Sequence, residues 1–234
     1  LAFQNKTKLG YMRSSYDDRI QCAKNLSQHI ADAKKPDSTA KVHGKRVNVY
    51  ELVSGALKST TEEDKDIVNL QWADNATQNT GLANFIAMAD TSGSMTCDKG
   101  IPLYNSIGLS IRISELNNSE FKDRIMTFSA QPEWVDLSTC NSFVEKVNKV
   151  SHCNWGMNTN FYAAMSMILD TVVQKNLPPH EVENMVLAIF SDMQIDAASE
   201  ENMDTMYSNI EKMYANAGLK SSWKTPYKAP HILF

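Results

Sequence analysis

The sequence predicts an α/β fold in which a mostly parallel, doubly wound β-sheet follows a small helical region. From residue 83 onward, apolar runs too short for helices alternate with segments whose apolar residues recur at helical spacing. Such alternation is typical of parallel sheets with helices on both faces. Before residue 80, the chain shows only helical patterns joined by polar links. We therefore divide it into a helical N-terminal region, residues 1–80, and an α/β domain, residues 81–234.

The helical region is predicted to contain three helices. Apolar residues from Tyr16 to Ile30 mark one side of the first helix, which Pro36 should end. The segment 49–57 fits a second helix. Thr60 and Glu63 form a capping-box pattern, a hydroxyl followed three residues later by an acid, in front of the third.

Five short apolar runs in the second part are predicted strands, and the helical patterns between them are predicted helices. Because residues 132–137 follow the second run after a short turn, we expect them to form an antiparallel strand at the sheet edge. The other predicted strands are 84–89, 124–128, 185–190 and 231–234, and the predicted helices are 103–116, 142–150, 161–173 and 203–214. The last run reaches the end of the sequence, so we expect a domain truncated at its C-terminus.

The amino-acid composition excludes some classes of function. Of the 234 residues, 42% are hydrophobic and 21% are charged, and the net charge is -4. These values are close to those of ordinary soluble domains and give no general attraction to nucleic acid. The chain lacks a run of about 20 apolar residues for a membrane span and an apolar N-terminal stretch for a signal peptide. With four widely spaced cysteines, typical of free thiols, we expect a soluble cytoplasmic protein that does not bind a membrane.

Oxygen-bearing side chains stand at three places where an α/β fold presents its loops. The first strand runs directly into Asp90-Thr91-Ser92-Gly93-Ser94, a D-x-S-x-S sequence. Thr159 stands at a predicted helix start, and Ser191-Asp192 follows the fourth strand. Since sheets of this kind bind ligands at the carboxyl ends of their strands, we expect these residues to meet.

This set of side chains favours a divalent cation. Hydroxyl and carboxylate oxygens are ligands suited to Mg²⁺, or to Mn²⁺ and Ca²⁺ with looser geometry. Ser92 and Ser94 can direct two hydroxyls at one ion, and Thr159 would add a third. Asp90 and Asp192 would hold coordinated waters and balance charge. Because the direct ligands are neutral, the ion would keep enough positive charge to attract an Asp or Glu carboxylate of a partner protein.

Each of these features also has an ordinary structural explanation. D-x-S-x-S fixes only three positions, and Ser and Asp are common in turns and helix caps. Thr159 alone is most simply a helix N-cap, and Ser191-Asp192 a turn. The order of the three features along an α/β chain favours the metal site. Near Thr159, Trp155 and Asn160 are candidate partner contacts, although core packing explains Trp155 equally well.

The oxygen-bearing residues resemble the metal-ion-dependent adhesion site of von Willebrand factor A domains at all five of its positions: Asp90, Ser92, Ser94, Thr159 and Asp192. The resemblance covers residues 83–234. It implies a Rossmann-like sheet, one bound divalent ion and a non-catalytic role in binding other proteins. A domains usually continue past the fifth strand into a further helix and strand, whereas this sequence stops there.

The segments ADTSGSM, WGMNTNF and FSDMQID are similar, within that superfamily, to an uncharacterised intracellular family of plants, other eukaryotes and large viruses. That resemblance implies a helical region before the A domain. The A domain of the Ro (TROVE) ribonucleoproteins is more distantly similar, which makes RNA binding through the helical region the alternative function.

Other candidate sites are weaker. The basic stretch from Lys34 to Arg46 lacks interleaved aromatic residues and is typical of a solvated loop. Cys140, His152 and Cys153 lack the two close ligand pairs of a zinc site. Ser92 does not stand in a G-x-S-x-G elbow, and the sequence places no histidine to activate it. We therefore expect no enzymatic activity.

Overall fold

The computed structural model describes residues 4–7, 11–77, 84–117, 120–153, 160–192 and 200–234, the side chains of 200–204 excepted. Its contacts divide the chain into two compact units. The helical unit comprises Leu1–Thr80 with Asn141–Asn148, and the α/β unit comprises Gly81–Cys140 with Lys149–Phe234. From the sequence, residues 141–148 belong to the second domain, whereas in the structure they pack with the first unit.

Three helices of the helical unit precede residue 80: α1 (Asp17–Ala33), α2 (Val49–Lys58) and α3 (Glu62–Ala76). Leu52 and Val53 of α2 are buried in its core with Trp72 of α3. The ring of Trp72 stacks on Phe143, with centroids 3.8 Å apart, and the Val144 N–H donates to Asn69 Oδ1 at 3.0 Å. These two contacts explain why residues 141–148 pack with the helical unit.

The third helix begins one residue later than the sequence predicts. Its capping box joins Thr61 to Asp64, not Thr60 to Glu63. Thr61 Oγ1 accepts a hydrogen bond from the Asp64 N–H at 3.1 Å. The Asp64 carboxylate also accepts from Gln4 Nε2 at 2.8 Å, so a residue far away in sequence helps to fix this end of the helix.

The α/β unit contains a five-stranded sheet in the order β3-β2-β1-β4-β5. All neighbouring strands are parallel except β3, which pairs antiparallel with β2 at one edge. The mostly parallel sheet with an antiparallel edge strand is therefore confirmed. The strands are β1 (Phe85–Ala89), β2 (Arg124–Thr127), β3 (Trp134–Asp136), β4 (Val186–Phe190) and β5 (His231–Leu233).

Helices cover both faces of this sheet. Ile86 and Met88 of β1 join the large apolar cluster formed with α6 and α8, whereas Ala87 packs with Ile113 of α4 on the other face. Among the described residues, none of the helices combines the length and apolar character needed to cross a membrane. The helices after β1 are α4 (Cys97–Leu116), α5 (Phe143–Ser151), α6 (Phe161–Gln174), α7 (Pro179–Glu183) and α8 (Glu200–Lys220).

The first turn of α4 is interrupted. Asp98, Lys99 and Gly100 have φ angles of 46°, 59° and 81°, all in the left-handed region. Regular helix therefore starts only after Gly100, close to the start that the sequence predicts at Leu103. A short 3-10 helix, Gly93–Thr96, precedes the interruption.

The helix α8 packs against α6 on one side and against the C-terminal segment of the chain. The buried Tyr214 hydroxyl donates to the Met165 carbonyl at 2.8 Å, and burial raises the pKa of this phenol. At Gly218, an added Cβ would lie 2.3 Å from both the Thr225 carbonyl oxygen and the Tyr227 nitrogen. Only a residue without a side chain lets the chain pass the helix at this distance.

Candidate metal centre

Two parallel strands carry the candidate centre at their carboxyl ends. β1 continues into Asp90 and β4 into Ser191, and the strands are paired with Ala89 opposite Phe190. The Asp90 N–H donates to the Phe190 carbonyl at 3.1 Å, which extends the pairing by one step. The strand order reverses between β1 and β4, because β2 lies on one side and β5 on the other. Ligands of open α/β sheets bind at such a point.

The Asp90 carboxylate is buried, with 2% of the residue exposed. Its Oδ1 accepts from the Ser92 N–H at 2.8 Å, and its Oδ2 accepts from the Ser191 hydroxyl at 2.5 Å. Both donors are neutral. Within the described part of the chain, no Lys, Arg or His forms an ion pair with this carboxylate. A buried charge normally requires a counter-charge, so the environment of Asp90 favours a cation nearby.

Two hydroxyls beside Asp90 are spaced for one ion. Ser92 Oγ and Ser94 Oγ lie 3.0 Å apart, held by the 3-10 helix in which the Met95 N–H donates to the Ser92 carbonyl at 3.1 Å. Adjacent ligands of an octahedral Mg²⁺ with bonds of about 2.1 Å are separated by about 3.0 Å. The two hydroxyls therefore fit neighbouring positions on one magnesium ion.

A third polar atom in this loop is available for a solvent contact. Thr91 Oγ1 is buried and has no hydrogen-bond partner among the described residues. Buried hydroxyls are normally satisfied by protein, water or ligand. A coordinated water would satisfy this one.

The predicted site residues have three different outcomes. The structure brings Asp90, Ser92 and Ser94 together, while Thr159 and Trp155 lie outside the described residues. Asp192, exposed after β4, lines a cavity of 180 Å³ together with Ser191 and with Met95 of the serine loop. Asp192 is thus near the candidate centre, at the carboxyl edge where the sequence predicts it.

Asn160 has a structural contact of its own. Its Oδ1 accepts from the Ala163 N–H at 3.0 Å and caps α6, and its N–H donates to the Ser129 carbonyl at 3.1 Å. These bonds tie the start of α6 to the loop after β2. A role for Asn160 in partner contact stays a prediction.

Residues 84–234 match the family described as Domain of unknown function (DUF7788). The chain belongs to this family. The DUF7788 match includes all five strands and every residue of the candidate centre.

A relative of this DUF7788 chain is "Uncharacterized protein L728" of Acanthamoeba polyphaga mimivirus. The two are 28% identical over 224 residues, which make up 93% of this chain and 36% of the viral protein. The chain therefore spans about a third of the length of this relative. No solved structure matches the chain.

Two residues of the DUF7788 centre are not among the five metal-site positions predicted from the sequence. Ser191, which donates to Asp90, is identifiable only as the first polar residue after a strand. Ser106 of α4 is buried, and its hydroxyl donates to the Phe190 carbonyl at 3.1 Å. The position of Ser106 within a helix gives no signal for this contact.

The oxygen ligands that this centre offers a metal ion are hydroxyls and carboxylates. In the portions of the chain that the structure describes, no three or more His, Cys, Asp or Glu residues are grouped as metal ligands. The candidate centre combines Ser92 and Ser94 with the carboxylates of Asp90 and Asp192. Such a set suits a hard ion such as Mg²⁺.

Proposed function

We propose that this DUF7788 protein holds one divalent cation, Mg²⁺, at the carboxyl edge of its sheet and uses it to bind a partner's carboxylate without catalysing a reaction. Mn²⁺ or Ca²⁺ would bind the same oxygens with looser geometry. The observation that carries the proposal is the buried Asp90 carboxylate, without an ion pair in the described residues, beside two hydroxyls 3.0 Å apart.

The proposal includes a Rossmann-like fold of the von Willebrand factor A type. The strand order, the antiparallel β3 and the helices on both faces support it. Further support comes from the resemblance of five residues to the adhesion site of that superfamily.

Each residue of the centre has a proposed role. Ser92 and Ser94 would contact the ion directly, and Thr159 would be the third hydroxyl. Asp90 and Asp192 would hold coordinated waters, while the Ser191 hydroxyl fixes the Asp90 carboxylate. The bound ion supplies an electrophilic position that an Asp or Glu side chain of a cytoplasmic protein partner would occupy.

RNA binding through the helical unit remains the alternative. Two lysines of the basic stretch are engaged in ion pairs, Lys34 with Asp66 at 2.9 Å and Lys35 with Asp32 at 2.7 Å. These ion pairs offset part of the positive charge that RNA binding would need. They therefore favour the metal-dependent role.

Calorimetric titration with Mg²⁺ tests the first half of the proposal. Asp90→Asn keeps the shape of the side chain but removes its charge, so we expect Mg²⁺ affinity to fall more than about tenfold. Asp98→Asn is the matched control, because Asp98 is exposed and Asn tolerates its left-handed conformation. Unchanged Mg²⁺ binding in Asp90→Asn, or the same loss in Asp98→Asn, would contradict the site.

The second half of the proposal, binding of a carboxylate to the ion, is tested with Mn²⁺ as a paramagnetic probe. An open coordination position leaves water on the ion, which enhances water-proton relaxation. We expect glutarate, a small dicarboxylate, to reduce this enhancement in the wild-type protein by displacing bound water. If glutarate and an uncharged diol of the same length have equal effects, carboxylate capture is wrong even where the metal site is right.

A further inference from the structure

Two adjoining cavities lie at the amino edge of the sheet, at the other end of β2 from the candidate metal centre. The first, of 570 Å³, lies among the start of β2, the end of β3 and the connection from α6 to α7. The second, of 290 Å³, lies along α6. Arg124 and Lys175 line both cavities, so the two share a wall.

Strand register places a cation and an indole on one face of the sheet. In the antiparallel β2–β3 pair, Arg124 lies opposite Asp136 and Met126 opposite Trp134. Residues two apart on a strand point to the same face, so Arg124 and Trp134 share that face. Met167 of α6 lines the smaller cavity with both of them.

Arg124 is a half-buried residue, and its guanidinium carries no hydrogen bond or ion pair within the described residues. Its neighbours are already engaged. Asp136, opposite it, accepts from the Ser138 N–H at 2.8 Å, and Lys175 pairs with Glu120 at 2.9 Å. A guanidinium has five donors in a planar fork that matches a carboxylate. Arg124 therefore offers a planar fork to an anion in this wall.

The charges around the two cavities nearly cancel. A hydrogen bond from Ser138, together with the positive charges of Lys149 and Arg124, holds the pKa of Asp136 below its usual value, so this carboxyl is ionised at neutral pH. The acids would repel a multiply charged phosphate. A ligand with one carboxylate and one ammonium group has no net charge, so they would not repel it. The charged residues of the lining are Lys122, Arg124 and Lys175 against Glu120, Asp136, Asp170 and Glu181.

One wall is apolar. Trp134 packs against Phe121 with ring centroids 5.6 Å apart, and it lines the smaller cavity together with Met167. An apolar group of a ligand would be removed from water against these two side chains.

The wall after α6 is fixed by long-range hydrogen bonds. The Asn176 carbonyl accepts from Trp223 Nε1 at 3.1 Å, and its side chain accepts from Ser222 at 2.7 Å. The Leu177 carbonyl accepts from the Tyr227 hydroxyl at 2.9 Å. Binding would therefore cost little ordering of this wall.

We propose that the two cavities bind a free α-amino acid with an apolar side chain. Its carboxylate contacts Arg124. Its ammonium group, on the same carbon atom, contacts Asp136, which lies opposite Arg124 in the strand pair, and its side chain packs on Trp134 and Met167. A volume of 570 Å³ is in the range of small-molecule sites. This site is separate from the metal-dependent function and needs no metal.

The test is a titration of the whole chain with L-phenylalanine in the presence of EDTA, followed by amide chemical shifts in NMR. We expect saturable binding, and binding at least about tenfold weaker for phenethylamine, which lacks the carboxylate, and for 3-phenylpropionate, which lacks the ammonium group. Arg124→Gln should weaken binding of L-phenylalanine to the same extent. Lys212→Gln, which removes an exposed cation on α8 outside both cavities, should leave it unchanged.

Arg124→Lys keeps the charge but not the planar fork, and it shows whether a loss in Arg124→Gln reflects unfolding. We expect Arg124→Lys to have the wild-type unfolding temperature and intermediate affinity. Absence of saturable binding by the wild-type chain overturns the proposal. So does equal affinity for L-phenylalanine and 3-phenylpropionate, or an equal loss in Lys212→Gln.

Discussion

Asp90 is an acidic residue that the fold buries almost completely. At 2% exposure, it has lost nearly all contact with solvent, and the Ser92 N–H and Ser191 hydroxyl replace only part of that solvation. The energetic cost of a buried carboxylate is several kcal/mol unless a counter-charge offsets it. The same residue thus accounts for the proposed metal affinity and for the need for two hydrogen-bond donors around it.

A substitution of Thr159 tests whether the proposed centre is an adhesion site or a structural metal site. A ligand can shift a protein between two states only through contacts that differ between them, and the proposed Thr159 contact forms when a carboxylate binds. We expect Thr159→Ala to weaken glutarate binding more than about tenfold, equivalent to about 1.4 kcal/mol, and Mg²⁺ binding much less. Calorimetry with both ligands measures this.

Thr225→Ala, at an exposed threonine, serves as the control for that comparison. Equal losses of Mg²⁺ and glutarate affinity in Thr159→Ala would indicate a metal that only supports the fold. That result would also favour the RNA-binding alternative.

Three residues of the candidate centre could be predicted from their spacing in the sequence. The contact of Ser191 with Asp90 could not, because the two residues are far apart in the sequence. Asp90, Ser92 and Ser94 lie within five residues of one loop, so the motif itself indicates a shared target. The Ser191 hydroxyl reaches Asp90 across 101 positions. Its role depends on the pairing of β1 with β4, which a single sequence does not specify at the level of side chains.

At the scale of helices, the cap of α3 is the clearest test. Replacing an N-cap threonine by alanine costs about 1 kcal/mol, so Thr61→Ala should lower the free energy of unfolding of the helical unit by that amount. Thr60→Ala, one residue earlier, should change it by less than about 0.5 kcal/mol. Urea unfolding of both variants measures the difference, and a larger effect of Thr60→Ala would restore the cap predicted from the sequence.

The sequence could not choose between these two threonines, because both have an acid three positions later. Thr60 is followed by Glu63 and Thr61 by Asp64. In the structure the N-terminal segment contacts both acids: Gln4 donates to Asp64 within the cap, and Lys6 pairs with Glu63 at 3.0 Å outside it. The capping-box pattern located the start of α3 to within one residue, and these tertiary contacts lie outside what the local pattern contains.

We expect Asp74, near the end of α3, to make the helical unit sensitive to acid. Hydrogen bonds from the Gly44 and Lys45 N–H groups, at 2.8 and 3.1 Å, hold its pKa below the usual value. Because the pKa is lower in the folded than in the unfolded chain, the ionised carboxylate stabilises the folded unit above about pH 4, and this stabilisation is lost as the pH falls through the folded-state pKa.

A carboxyl-carbon NMR titration should therefore give Asp74 a pKa below that of an aspartate in the unfolded chain. In Asp74→Asn, the loss of stability on acidification from neutral pH should be smaller than in the wild type, whereas Asp37→Asn, in an exposed position, should behave as the wild type does. An Asp74 pKa at or above the unfolded value would contradict the hydrogen bonds to this carboxylate.

Across the whole molecule, the alternation of short apolar runs with helical patterns was enough to predict the sheet. Such runs predict strands because each must bury both faces between helices. Placement of residues 141–148 was beyond this reasoning. The stacking of Phe143 on Trp72 joins positions far apart in sequence, and hydrophobic spacing within 142–150 shows only that one face is buried, not which core buries it.

Mg²⁺ binding should stabilise the α/β unit and not the helical unit. A ligand that binds only the folded state adds about 2.7 kcal/mol at a hundredfold excess over its dissociation constant. We expect Mg²⁺ to slow amide hydrogen exchange in peptides from β1 and β4 and to leave α2 unchanged. In Asp90→Asn, Mg²⁺ should have no effect on either set, and slower exchange of α2 in the wild type would show that the ion acts elsewhere.

The approach of the chain to α8 at Gly218 limits how sequences of this family can diverge. A methyl group there would meet two backbone atoms at 2.3 Å, and backbone cannot swing aside as a flexible side chain can. Relatives as different as the viral protein, at 28% identity, should therefore keep glycine at this position while exposed neighbours such as Lys220 vary. An invariant glycine at this position would reflect the close backbone contact and would not indicate a binding site.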